Sequence, residues 1–230
     1  MKRYAAILLS ILMALCIPCS ALTPREQVGS DVSGFSSVLI GGEPVDGSIF
    51  GDHTVSAVIY WATWSEPCRL QMDILNEIGS EHPEFGVMGL LHVDATSTPE
   101  TALAFMQGNG YDFPVFVCDD TWSEIVGQSM NIPQCFIVDS EGRIVEVWQA
   151  AFSSSETLLY RLRLWEAYCI ADGDVNFDGD IDSIDALLQL RFALDLETPT
   201  ELQFYRGDFN HDGVLDSMDA LFTLRTALGL

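Results

Sequence analysis

The stretch Val58-Ile59-Tyr60-Trp61-Ala62-Thr63-Trp64-Ser65-Glu66-Pro67-Cys68-Arg69 changes character midway. Its first half is apolar, β-branched and aromatic, the composition of a strand buried on both faces. The second half opens on Ser65, a preferred helix N-cap residue whose hydroxyl can accept the N–H of residue 68. Pro67 suits a first helical turn, where its missing N–H costs nothing. The reading is a buried strand at 55–61 that runs into a helix from 67 to about 79. Free N–H groups at such a helix start stabilise an anion such as a thiolate.

Outward from this segment, strands are expected at 37–40, 86–94, 113–118 and 135–139, with helices at 99–107, 121–127 and 154–168. The turn Asp139-Ser140-Glu141-Gly142 joins the strand at 135–139 to another at 143–148. Alternating strands and helices that end in a hairpin predict an α/β domain with a mixed sheet and flanking helices.

Two segments give that domain a family. Residues 58–69 resemble the W-A-x-W-C-x-P-C active-site segment of the thioredoxin superfamily. Asn131-Ile132-Pro133-Gln134-Cys135-Phe136-Ile137-Val138-Asp139-Ser140-Glu141-Gly142-Arg143-Ile144 is similar to the family's Ile-cis-Pro strand and D-x-x-G-R hairpin. The match spans roughly 130 residues and is best with exported, redoxin-type members. The resemblance implies the thioredoxin fold, with Ser65, Cys68 and Pro133 at the site of thiol–disulfide exchange and Trp61 and Trp64 lining a peptide groove. In working members two cysteines act in turn, the first attacking and the second resolving. Here Ser65 stands at the attacking position, and a hydroxyl without an activating base does not replace a thiolate. Position 59, an acid in some members, is Ile. Glu66 disfavours a Cys68 thiolate while Arg69 and the helix end favour it. Cys135, two residues after Pro133, and Cys118 are candidate partners for Cys68, although single buried cysteines also pack as small hydrophobes. Cys169 is either a free thiol or a link between chains. Three enzymatic outcomes follow: an oxidoreductase working with Cys68 alone, a non-catalytic binding or spacer module, or a peroxiredoxin-like peroxidase using Ser65-Glu66-Pro67-Cys68. The last family wants Pro where this chain has Trp61. His53, His82 and His92 are scattered and read as surface or edge residues.

The C-terminus repeats itself at an offset of 34 residues. Between 172–196 and 206–230, 15 of 25 positions are identical. Each copy carries D-x-N-x-D-G followed by an acid six residues after the Gly, the spacing of a calcium loop. Calcium needs six to eight oxygens, and a tight loop aims alternate side chains inward. Expected ligands are Asp174, Asn176, Asp178, the Asp180 carbonyl and Asp185 in the first loop. In the second they are Asp208, Asn210, Asp212, the Val214 carbonyl and Asp219. Asp182 and Asp216 are placed to act through water. Short amphipathic helices at 186–194 and 220–228 follow the loops, and no helix of comparable length need precede them. Paired loop-and-helix units resemble the type I dockerin family over residues 172–230. That resemblance implies two calcium ions and a cohesin partner on a scaffolding or cell-surface protein, typically in a cellulosome devoted to polysaccharide catabolism. It also implies a recognition face at Ser183, Ile184 and Arg191, duplicated at Ser217, Met218 and Arg225. The family's usual basic neighbour of each Arg is replaced, since Leu190 and Phe192 flank one and Leu224 and Thr226 the other. As a helix-end charge, each Arg also suits the helix dipole.

At the other end, Lys2 and Arg3 precede an apolar run at 5–15, Pro18 and the small residues Ser20 and Ala21, the order of a cleaved signal peptide. The expected organisation is a signal peptide at 1–21, an extension at 22–35, the thioredoxin-like domain at 36–170 and the dockerin at 171–230, in an exported protein. Of 230 residues, 34 are acidic and 10 basic, and Lys2 is the single lysine. That balance excludes counterion-releasing contact with nucleic acid and attraction to anionic lipid. No second stretch reaches membrane length, and lysine Schiff-base chemistry is excluded beyond the leader.

Overall fold

The computed structural model describes residues 24–127 and 131–230; the expected signal peptide lies outside them. Strand β3, Val55–Trp61, is the centre, and all seven of its residues are buried. It pairs in parallel with β4, Gly86–Leu91, and antiparallel with β6, Gln134–Asp139. Outside β4 lies β5, Val115–Val117, and outside β6 lies β7, Ile144–Trp148, so the sheet order is β5-β4-β3-β6-β7. The mixed sheet with its terminal hairpin is the one expected.

Helix α1, Pro24–Gln27, and a ribbon of β1, Ser36–Val38, with β2, Pro44–Asp46, precede that sheet. Strand β2 was not anticipated, because three residues beginning with Pro carry no alternating pattern. Helices α2, Glu66–Glu81, α3, Pro99–Asn109, α4, Asp120–Val126, and α5, Ser155–Ile170, cover the sheet. Alternation along β3 sends Ile59 and Trp61 to one face, where Met72, Leu75, Ile78, Leu158 and Leu162 pack from α2 and α5. Val58 and Tyr60 go to the other, against Phe35, Phe50, Trp122 and Phe136. Val32 and Phe35, from the segment read as an extension, are fully part of this second core. They are held by the Val32 N–H, which donates to the Gly142 carbonyl at 2.7 Å. Gly142 turns the β6–β7 hairpin at φ 80°, and a Cβ there would lie 2.8 Å from the Ser33 backbone. Glycine is required on both counts.

Glu146 on β7 fixes α5. Its carboxylate accepts from Trp148 Nε1 at 2.6 Å, Trp165 Nε1 at 2.5 Å, and Arg161 Nε and Nη2 at 3.1 and 2.8 Å. Beyond α5 come α6, Ser183–Ala193, α7, Glu201–Gly207, and α8, Ser217–Ala227. Helices α6 and α8 pack on each other, and the unexpected α7 packs on α5. Both longer helices start three residues earlier than hydropathy suggested, because Asp182 and Asp216 cap them. Asp182 accepts from the Ile184 N–H and Asp216 from the Met218 N–H, each at 2.6 Å. No helix among the described residues is long and apolar enough to cross a membrane.

Glu146→Ala strands the Arg161 guanidinium and two indole N–H groups. The expected loss is about 2–3 kcal/mol, read as a lowered urea midpoint of the full chain in calcium. Glu141→Ala, at a side chain that is 79% exposed, should leave that midpoint within about 0.5 kcal/mol of wild type.

Candidate functional site

Strand β3 delivers the chain to the start of α2. Tyr60 is registered with Gln134, so Pro133 lies across from Trp61, at the sheet end where α2 begins. The Ile132–Pro133 peptide is cis. Ser65, Cys68 and Pro133 are thus gathered at one end of the sheet, and all three are buried.

The cap expected of the Ser65 side chain does not form. Its backbone carbonyl accepts the Cys68 N–H instead, at 3.1 Å. Residue 67 is Pro and offers no N–H, so no first-turn donor is left for the hydroxyl. It turns to the Cys68 thiol, where it and the Ala62 backbone favour the thiolate. Burial outweighs both and pushes the Cys68 thiol up. Glu66 and Arg69, weighed against each other from sequence, pair together at 3.5 Å on the exposed side of the helix.

Trp64 is 46% exposed and is pinned by a residue that sequence reasoning missed. Its Nε1 donates to Asp94 Oδ2 at 2.7 Å, while Asp94 Oδ1 accepts the Thr96 and Ser97 N–H groups, each at 2.7 Å. These donors hold the Asp94 carboxyl well below the usual carboxylate range. Ser97 Oγ in turn accepts the Thr63 N–H at 3.2 Å. A D-x-T-S turn is visible in the sequence, but nothing there shows that it braces residues 63–64. Tyr60 OH meets His92 Nδ1 at 2.7 Å, which accounts for one of the three histidines.

All four described cysteines are free, so the pairing weighed for Cys68 with Cys135 or Cys118 is not formed. Cys135 is fully buried in β6, registered with Ile59, and its thiol is pushed far up by burial. Cys118 touches Ser123 Oγ at 3.5 Å, and half-buried Cys169 is pushed up to about 11.

The acidic loops form a second centre. Asp174, Asp185, Asp208 and Asp219 are buried, Asp185 and Asp219 completely. Asp185 accepts from the Val175, Asn176 and Asp182 N–H groups at 3.1, 3.2 and 3.0 Å. Asp219 accepts from Phe209 and Asp216 at 3.0 and 2.9 Å. Each closing acid therefore ties its loop to its helix start, and Asp182 and Asp216, expected to act through water, are caps. Asp178 and Asp212 accept from their neighbours Asn176 and Asn210 at 2.8 and 2.9 Å. Many acid oxygens face N–H groups, and among the described residues no three acid, His or Cys side chains are gathered to hold a metal. Even so, Asp174 Oδ1 is buried without a partner, and burial with the nearby Asp208 charge pushes the Asp219 carboxyl up. Apart from Arg206 Nη2, 3.8 Å from Asp174 Oδ2, these carboxylates face no cation at salt-bridge distance among the described residues, and their oxygens fit a hard cation.

The comparisons with known proteins follow this division. The type I dockerin domain model matches residues 172–225. A thiol-disulfide oxidoreductase ResA of Bacillus thuringiensis (strain Al Hakam) is 32% identical over 89 residues, 38% of this chain and 50% of that protein. A thiol:disulfide interchange protein DsbE homolog of Paracoccus denitrificans is 29% identical over 92 residues, 40% of this chain and 48% of that protein. The chain thus spans about half the length of these curated relatives. Among solved structures, a Chlorobium tepidum protein described as thiol:disulfide interchange protein DsbE superposes with a TM-score of 0.50. It is 20% identical and covers 60% of this chain and 96% of its own, a likeness of fold. The chain joins a thioredoxin-like domain to a type I dockerin domain. In the dockerin domain, Ser183, Ile184, Arg191, Ser217, Met218 and Arg225 are all exposed on α6 and α8. Between those helices runs an apolar groove of about 320 Å³, walled by Leu187, Leu190, Leu221 and Leu224, leucines that the sequence reading left out of the face. Arg191 is paired with Glu197 at 2.6 Å.

The raised thiol at Cys68 predicts a pH profile. Thiolate forms only as pH climbs past the ordinary value of 9.0, so iodoacetamide should leave Cys68 of the native chain unlabelled at pH 7.5. Labelling, followed by peptide mass spectrometry, should rise only in alkali. Rapid labelling at neutral pH would contradict the burial argument.

Proposed function

We propose that this chain is an exported docking protein that attaches to a cohesin module through its calcium-loaded dockerin domain, and that its thioredoxin-like domain is a non-catalytic binding module. The observation that carries this reading is the duplicated face. Ile184 and Met218, 34 positions apart, are both exposed large apolar residues, and their chain neighbours Ser183 and Ser217 line the one apolar groove between α6 and α8. Unpartnered apolar surface of this kind marks a protein-binding site.

Two calcium ions are proposed, one per loop. Asp174, Asn176, Asp178, Asp185 and the Asp180 carbonyl would hold the first, and Asp208, Asn210, Asp212, Asp219 and the Val214 carbonyl the second. The ion would add positive charge among buried acids of which Asp174 alone faces a guanidinium. Asp185 and Asp219 already hold the loop to the helix start, so calcium binding and the folding of α6 and α8 are one process.

For the front domain, Ser65 at the attacking position and Cys68 buried with a raised thiol argue against disulfide exchange at neutral pH. The same burial argues against a peroxidatic thiol. A second reading, an oxidoreductase working with Cys68 alone, draws on the Ser65 hydroxyl beside the sulfur, which favours the thiolate. The proposed boundaries are 1–21 for the leader and 171–230 for the dockerin domain, and the extension expected at 22–35 joins the domain expected at 36–170, since Val32 and Phe35 pack in its core. The setting would be extracellular, in a cellulosome-like assembly on polysaccharide.

Chelation of calcium should remove the helical circular dichroism of the dockerin domain and abolish capture by an immobilised cohesin, with both restored by added calcium. An unchanged spectrum in chelator would end the calcium reading. Separately, Ser65→Cys should gain insulin reduction that wild type lacks; equal activity in the two would overturn the non-catalytic assignment.

A further inference from the structure

The two loops share spacing and backbone, including a left-handed residue at the same place, Phe177 at φ 60° and His211 at φ 56°. Their surroundings differ. Phe177 is 48% exposed. The His211 ring instead lies 4.8 Å from the ring of Tyr168, on the last helix of the thioredoxin-like domain. Tyr168 also meets Tyr205 of α7 edge-on at 6.0 Å, and α7 runs straight into the second loop at Asp208. Tyr160 OH of α5 donates to Glu201 Oε2, at the start of α7, at 2.8 Å. The second loop is therefore supported by α5 both at its entry and along its span.

The first loop has an opposing feature. Arg206 stands at the repeat position equivalent to Asp172 and donates to its carboxylate at 2.6 and 3.0 Å. Arg206 Nη2 also stands 3.8 Å from Asp174 Oδ2. A guanidinium fixed beside the first carboxylate of the loop competes there with an incoming cation. In the second loop the residue facing out is an imidazole tilted against a phenol.

We propose that the thioredoxin-like domain is an intramolecular support for the second calcium loop, so that the two dockerin sites are unequal and residues 208–219 bind calcium first. The inference rests on the calcium reading above. Ordering a loop opposes binding, and a loop held against a rigid helix has less left to lose. Coupling of this kind is reciprocal: calcium in the second loop tightens the packing of α7 and His211 on α5. The domains then share one stability rather than hanging on a free linker.

The test is calorimetric titration of the full chain with calcium. Asp178→Ala leaves the second loop alone to be measured, and Asp212→Ala the first. The second loop should bind more tightly. Tyr168→Ala should weaken it roughly threefold to tenfold, the worth of one aromatic pair, while Tyr168→Phe restores it. His211→Asn, at an exposed residue and with a side chain that tolerates the left-handed backbone, should weaken it similarly without touching the core. The matching change Phe177→Asn should leave the first loop's affinity unchanged. Calcium should raise the unfolding temperature of wild type more than that of Tyr168→Ala. Loops of equal affinity, or a second loop indifferent to Tyr168→Ala and His211→Asn, would overturn the support role alone. Wild type that takes up no calcium would overturn the calcium reading together with it.

Discussion

Burial of β3 on every side is the constraint from which the front domain follows. Seven residues without exposure need a backbone partner along each edge and an apolar layer on each face. Strands β4 and β6 meet the first need, while α2 and α5 on one face and the Trp122–Phe136 cluster on the other meet the second. A strand so enclosed ends in a rigid place. Its continuation through Ala62 sets where α2 starts, and the pairing of Tyr60 with Gln134 sets where Pro133 falls. The geometry of an exchange site is thus retained by packing alone, whatever residue occupies position 65.

That separation of geometry from chemistry explains how Ser65 persists. A helix start can be closed by a backbone carbonyl when Pro67 removes one of its donors, so the site tolerates loss of the attacking thiol at little structural cost. Cys68 then remains for its volume as much as for its sulfur, since burial raises the thiol and a fully enclosed atom is reached poorly from solvent. The dockerin domain shows the reverse economy. There the buried groups are acids, and each of Asp185 and Asp219 serves loop, helix start and proposed ion at once.

Much of this was legible in the chain itself. The strand at 55–61 was read to the residue because an unbroken apolar β-branched run ending at a cap signal has one interpretation. The paired acidic loops were legible because the spacing of their acids and glycines is a local property. Where the reading failed, the cause was either a local cap, as at Asp182 and Asp216, or a distant neighbour. Strand β2 forms because β1 lies beside it, and α7 because α5 offers it a surface. Asp94 acts on Trp64 thirty positions away. The duplicated residues exposed on α6 and α8 followed from the repeat, but the groove between the helices required the two brought together.

By itself, then, the sequence determined the main alternation of strands and helices in the front domain, the two acidic loops and their spacing, the serine where exchange chemistry would need a thiol, and the acidity that argues against polyanions as partners. All of these are statements about residue type and spacing. Tertiary structure alone decided that Cys68 is sealed and raised, that Cys135 pairs with nothing, and that residues 32–35 complete the core. It also decided that two loops of shared ligand spacing have different surroundings. The physical reason is common to all four: dielectric, contact and charge at a group are set by what the fold places beside it, and a repeat in sequence does not repeat its surroundings.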